Sequence, residues 1–162
     1  MSAALYAHDK TVSSLLSWGA DPDQTSAIGF TALMCAIQST CVTTINLLAP
    51  VTQLNLGGAL YHLARDKIEP MTAELRQLVE RAAEDREAAI KGLEAAARFG
   101  SSAMIGMIAQ HTKDQSIFET KNQKLWMEAV KSDSKATVSA LLPLLPNPPW
   151  RRSPWQGREG CQ

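Results

Sequence analysis

Leu15-Leu16-Ser17-Trp18-Gly19-Ala20-Asp21-Pro22-Asp23, then Gly29-Phe30-Thr31-Ala32-Leu33-Met34-Cys35-Ala36-Ile37, and further on Leu47-Leu48, decide how the whole chain reads. Gly19 follows an aliphatic pair, where a helix C-terminus favours a residue that tolerates positive φ, and Asp21-Pro22-Asp23 starts a turn. Thr31 stands where its hydroxyl can cap a new helix. Leu33, Ala36 and Ile37 fall on one face of that helix, and small Ala36 lets a neighbouring helix approach. Leu47-Leu48 then closes a second helix. The local chemistry predicts a helix end, a loop, and a two-helix unit.

These residues resemble an ankyrin repeat read across one repeat junction. In that family each unit is a short helix, a turn, a second antiparallel helix and a protruding loop, and the stack presents a concave surface to a partner. About three or more units are needed to bury the apolar faces, and five partial copies are present. The aliphatic pairs expected to end the second helices are Leu15-Leu16, Leu47-Leu48, Leu78-Val79, Met107-Ile108 and Leu141-Leu142, spaced by 32, 31, 29 and 34 residues, against a family period of about 33. Upstream of each lies a small or apolar couple for the first helix: Ala4-Leu5, Ala36-Ile37, Leu63-Ala64, Ala96-Ala97 and Ala129-Val130. The resemblance implies an all-α, ankyrin-type helical-repeat solenoid over residues 1–142, in approximate units 1–26, 27–55, 56–86, 87–118 and 119–142.

The copies are uneven. Leu93-Glu94-Ala95-Ala96-Ala97-Arg98-Phe99-Gly100 reads well as a first helix with its terminating glycine, whereas the third and fifth units are degenerate. Between Thr72 and Arg98 there is no loop signature, only a helix-favouring stretch with Arg76/Glu80, Arg81/Asp85 and Glu87/Lys91 at i,i+4 spacing. Two expectations follow: a short or helical junction between units three and four, or one long amphipathic helix that interrupts the stack. Gly92, Gly100 and Gly106 are expected to weaken the array, at about 1 kcal/mol each relative to Ala.

Composition bounds the function. At 162 residues, with 45% hydrophobic but 6% aromatic residues, the chain suits one elongated helical domain built on Ala and Leu. A formal net charge of zero removes the usual footprint of a nucleic-acid binder. No run approaches the roughly 18 apolar residues of a membrane span, and the first residues lack a signal-peptide pattern. The expectation is a protein of the cytosol or nucleus, binding neither nucleic acid nor membrane.

Cys35, Cys41 and Cys161 are too few and too scattered for a disulfide framework, and metal ligation with His8, His62 and His111 would require distant units to converge. No Gly-rich phosphate loop, Gly-x-Ser-x-Gly elbow or His-Glu-x-x-His occurs. Glu80, Glu84, Asp85 and Glu87 read as a solvated helix face balanced by Arg76, Arg81, Arg86 and Lys91. No catalytic residue, cofactor or metal site is expected.

Function then falls to the surface that the repeat register exposes: Asp23, Gln24 and Thr25 at the end of the first unit, Phe30, Cys35, Gln38 and Ser39 in the second, His62, Arg65 and Asp66 in the third, Arg98 and Phe99 in the fourth, and Glu128 with Lys131 in the fifth. Aromatic and Arg side chains dominate binding hot spots, which singles out Phe30 and Phe99, with packing of both rings between units as the alternative expectation. Trp18 and Trp126 read as core. The expected role is a non-catalytic scaffold for another protein, or alternatively a regulatory or targeting arm of a larger enzyme or channel. Asn55, eight residues after Leu47, resembles in position the asparagine hydroxylated in many ankyrin repeats.

Both ends depart from the pattern. Met1 falls at the Leu-like position of a first helix, so a complete N-terminal capping repeat is not apparent, and further repeats or a domain are expected upstream. From Pro143 the prolines bar helix propagation and the composition turns basic and aromatic, predicting a disordered tail over 143–162 with a Pro143-x-x-Pro146 spacing.

Overall fold

The computed structural model describes residues 1–68, 72–114 and 116–145. Among these the chain is all helical: α1 (Ser2–Leu5), α2 (Asp9–Ser17), α3 (Ala32–Gln38), α4 (Val42–Leu48), α5 (Leu56–Asp66), α6 (Ala73–Glu84), α7 (Arg86–Phe99), α8 (Ser102–His111), α9 (Ser116–Thr120), α10 (Asn122–Lys131) and α11 (Lys135–Leu141). No helix among the described residues is long and apolar enough to cross a membrane.

Local signals set the helix ends. Thr31 Oγ1 accepts from the Met34 amide at 3.3 Å, Thr72 Oγ1 from Leu75 at 3.4 Å, and Ser134 Oγ from Thr137 at 3.3 Å, each satisfying one orphan N–H of a first turn. Gly100 closes α7 at φ +80°, a left-handed conformation that a side chain rarely adopts.

The helices pair in chain order, α1 with α2, α3 with α4, α5 with α6, α7 with α8, and α10 with α11. Neighbouring pairs then pack so that α1, α3, α5, α7 and α10 form one layer and α2, α4, α6, α8 and α11 the other. Short α9 packs against α10. The core runs along the seam between the layers. In the three inner pairs both residues of the first-helix couples are buried, Ala36-Ile37, Leu63-Ala64 and Ala96-Ala97. In the two outer pairs only one is: Ala4 and Ala129 are buried while Leu5 and Val130 are exposed.

The stretch from Thr72 to Arg98 is neither a loop nor one helix. It breaks at Asp85, which leaves the helical region (φ −87°, ψ 118°) and accepts from the Glu87 amide at 3.2 Å, capping α7. The stack therefore continues without interruption, with α7 against α5 and α8 against α6. Of the three i,i+4 pairs, Glu87 and Lys91 meet at 2.7 Å. Arg81 instead reaches back across the stack, donating to the carbonyls of Ala49, Pro50 and Thr52 at the end of α4.

Three further expectations are corrected. Trp126 is buried, but Trp18, the C-cap of α2, is 81% exposed. Gly92 is not a weak point: a Cβ there would meet Leu60 Cδ1 at 2.5 Å and Ile108 Cδ1 at 2.9 Å, so its small size permits the α5–α7 contact. Ordered packing also extends past residue 142. The Leu144 and Leu145 amides donate to the Leu141 carbonyl, and Leu145 is buried. The remainder of the expected tail, from Pro146 on, lies outside the described residues.

Candidate binding surface

The first-helix layer carries a row of aromatic rings that crosses three helical pairs. Phe30, just before the Thr31 cap of α3, lies 5.2 Å from His62 on α5. Tyr61 meets His62 edge-on at 5.5 Å and then meets Phe99 of α7 edge-on at 5.4 Å. The Arg98 guanidinium sits 5.9 Å from the Phe99 centroid, ending the row in a cation–π contact. Phe30 and Phe99 are half-buried against the core, and Tyr61 is 37% exposed.

His62 is the buried link of this row. It is 6% exposed, and its Nδ1 is buried with no hydrogen-bond partner among the described residues. Burial pushes its pKa below the ordinary imidazole value, Arg65 adds to that, and Asp66 opposes it. Arg65 and Asp66 pair bidentately at the exposed end of α5, at 2.7 and 3.0 Å. The bond to Asp66 is the main reason the Arg65 pKa is raised.

Several residues singled out from the sequence have other roles. Cys35 is 9% exposed, and burial raises its thiol pKa despite the nearby amino terminus, so it belongs to the core and not to an accessible stripe. Asp23 is a clamp: its Oδ1 accepts from the Gln53 amide at 2.8 Å and the Leu54 amide at 3.0 Å, tying one inter-helix loop to the next. Asn55 caps α5 in a left-handed conformation (φ +54°), and its Nδ2 donates to the Gly29 carbonyl at 3.1 Å. Ser39 Oγ bonds the Ala36 carbonyl at 2.9 Å and the Ala4 carbonyl at 3.3 Å, so it joins α3 to α1. Thr25 is exposed on the loop and Gln38 is half-buried at the end of α3.

Beside the aromatic row lies a groove of about 350 Å³ between α5 and α7, reaching α10. Gly57, Gly58, Tyr61 and Ala95 line it, and Lys91, Glu94, Arg98, Lys124 and Glu128 surround them. Tyr61, Lys91, Glu94 and Lys124 are the members that sequence reasoning missed. A signal was present: Lys91, Glu94 and Arg98 recur at helical spacing along α7, as do Lys124, Glu128 and Lys131 along α10. No group of three or more His, Cys, Asp or Glu side chains that could hold a metal ion occurs among the described residues.

No protein-family model, no curated protein and no solved structure matches this chain.

Proposed function

We propose that the chain is an ankyrin-type helical-repeat solenoid that works as a non-catalytic protein-binding module, engaging another protein through the first-helix layer. The observation that carries this reading is the continuous row Phe30, His62, Tyr61, Phe99 and Arg98, spread over three successive helical pairs. A row that crosses units gives a partner several rigid anchors on one face, and partly exposed aromatics capped by an Arg are the usual make-up of a binding hot spot. The pairing of helices in two layers supports the solenoid, since each pair buries its apolar face mainly against its neighbours. The aliphatic repeat and the free Cys35 and Cys41 suit the cytosol or nucleus.

The test is site-specific photocrosslinking in cells, with p-benzoylphenylalanine at position 61 on the aromatic row or at exposed position 77 on α6. A discrete protein adduct from position 61 that disappears when Phe30 and Phe99 are both changed to Ala is the expected result. Adducts from position 77 alone would place binding on the opposite layer and overturn the reading.

A further inference from the structure

We propose that the groove between Tyr61 and Arg98 takes an extended acidic peptide of the partner protein, one carboxylate pairing with the Arg98 guanidinium while an adjacent apolar side chain lies on Tyr61. This inference rests on the binding reading above and names the chemistry of its partner.

The floor of the groove forms where glycine lets two helices meet. A Cβ on Gly57 would meet Lys91 Cδ at 2.9 Å and the Ala88 Cα at 3.2 Å, so α5 and α7 approach closely there. Gly58 and Ala95 continue the floor without long side chains, and Tyr61 forms an apolar wall. A depression of this kind accommodates one or two side chains of an extended segment.

Charge decides which segment. The groove lining carries three cations, Lys91, Arg98 and Lys124, against two anions, Glu94 and Glu128. Both lysines are satisfied: Lys124 bonds Glu94 at 2.6 Å, and Lys91 bonds Glu87 at 2.7 Å. Glu128 is held by Lys131 at 3.1 Å. Arg98 differs. Among the described residues the carboxylate within 4 Å of it is that same Glu128, at 3.9 Å, and the Arg98 side chain is 62% exposed. The surplus positive charge of the groove therefore resides on a guanidinium already positioned over the Phe99 ring.

A guanidinium with open donors matches a carboxylate through two parallel N–H···O bonds, which lysine cannot reproduce. Because the pair would be partly solvated, it would confer register and selectivity more than bulk affinity. The aromatic row supplies the apolar anchor one or two residues away.

The experiment selects peptides of roughly twelve residues from a random phage-displayed library on the intact 162-residue chain, then measures the enriched sequences by fluorescence anisotropy. The expected consensus places Asp or Glu within about three residues of an aliphatic or aromatic side chain. Replacing that acidic residue by its amide, or making Arg98→Ala, should each weaken binding about three- to fivefold, and the two changes together should cost little more than either alone. Arg98→Glu should redirect selection toward Lys- or Arg-containing peptides. Circular dichroism checks that the variants stay folded.

A consensus without acids, or an affinity within about twofold in Arg98→Ala, overturns the acidic-peptide assignment. If such peptides still lose binding in Tyr61→Ala, the binding reading survives that failure. If they are indifferent to Tyr61→Ala and Phe30→Ala as well, both readings fall, as they do if no peptide is enriched over an unfolded control.

Discussion

Gly92 of α7 lies so close to Leu60 of α5 that a Cβ added to it would come within 2.5 Å of the leucine Cδ1. The two helices are packed to a tolerance of one methyl group at that point. Gly92→Ala should therefore destabilise the fold by about 1–3 kcal/mol, overpacking outweighing the gain in helix propensity. At Gly106 of α8 an added Cβ meets nothing within 4 Å, so Gly106→Ala should stabilise by about 0.5–1 kcal/mol. Urea melts of the two variants should move in opposite directions, and a shared direction would refute the packing argument.

Arg81 is the bridge between α6 and the segment after α4, donating to the C-cap carbonyl of Ala49 and to the carbonyls of Pro50 and Thr52 just beyond it. Arg81→Ala should cost about 1–2 kcal/mol, and Arg81→Lys should recover little of it, because an ammonium cannot span the same fork. Equal stability of wild type and Arg81→Ala by chemical denaturation would show that water replaces the guanidinium.

Asp23 holds two backbone amides with one carboxylate oxygen. Asp23→Ala should raise hydrogen exchange at Gln53 and Leu54 while lowering global stability by about 1 kcal/mol. Asp23→Asn keeps an acceptor and should fall between the two. Unchanged exchange at both amides in the alanine variant would rule out the clamp.

His62 sets a pH dependence whose sign follows from its burial. Its folded pKa lies below the ordinary value of 6.5, with burial the main cause, so the unfolded chain binds more protons in the window beneath 6.5. The neutral ring's contribution is present above that value and is lost as the pH falls toward the folded pKa. His62→Leu should flatten the loss of stability between pH 7.5 and 5.5, measured by denaturant midpoints at about matched ionic strength. Parallel pH profiles for variant and wild type would exclude His62 as the source.

How much of this was legible depends on whether the deciding partner was local. The Thr31 cap and the Gly100 terminus are set within one turn, and both follow from sequence. Trp18 and Trp126 show the opposite case: the same residue type near a helix is exposed at one site and buried at the other, because the difference lies in the neighbouring helical pair. Cys35 was placed on the accessible stripe because its register was read from one helix, whereas burial comes from two. Tyr61 was overlooked in favour of His62, although it is Tyr61 that touches Phe99 across units. The break at Asp85 was legible only as an ambiguity, since a single aspartate with good helix formers on both sides both caps and permits a helix.

That break bears on how the molecule deforms. Elsewhere the pairs are joined by segments several residues long, such as 49–55, with its left-handed Asn55. Between α6 and α7 the only slack is the pair of backbone torsions at Asp85. With α7 packed on α5 and α8 on α6 across that short joint, the third and fourth pairs are expected to move together, and curvature imposed by a large partner to fall on the flanking joints. Binding at Tyr61 and Arg98, which sit on the two arms of that lever, would meet a platform that does not flex beneath it.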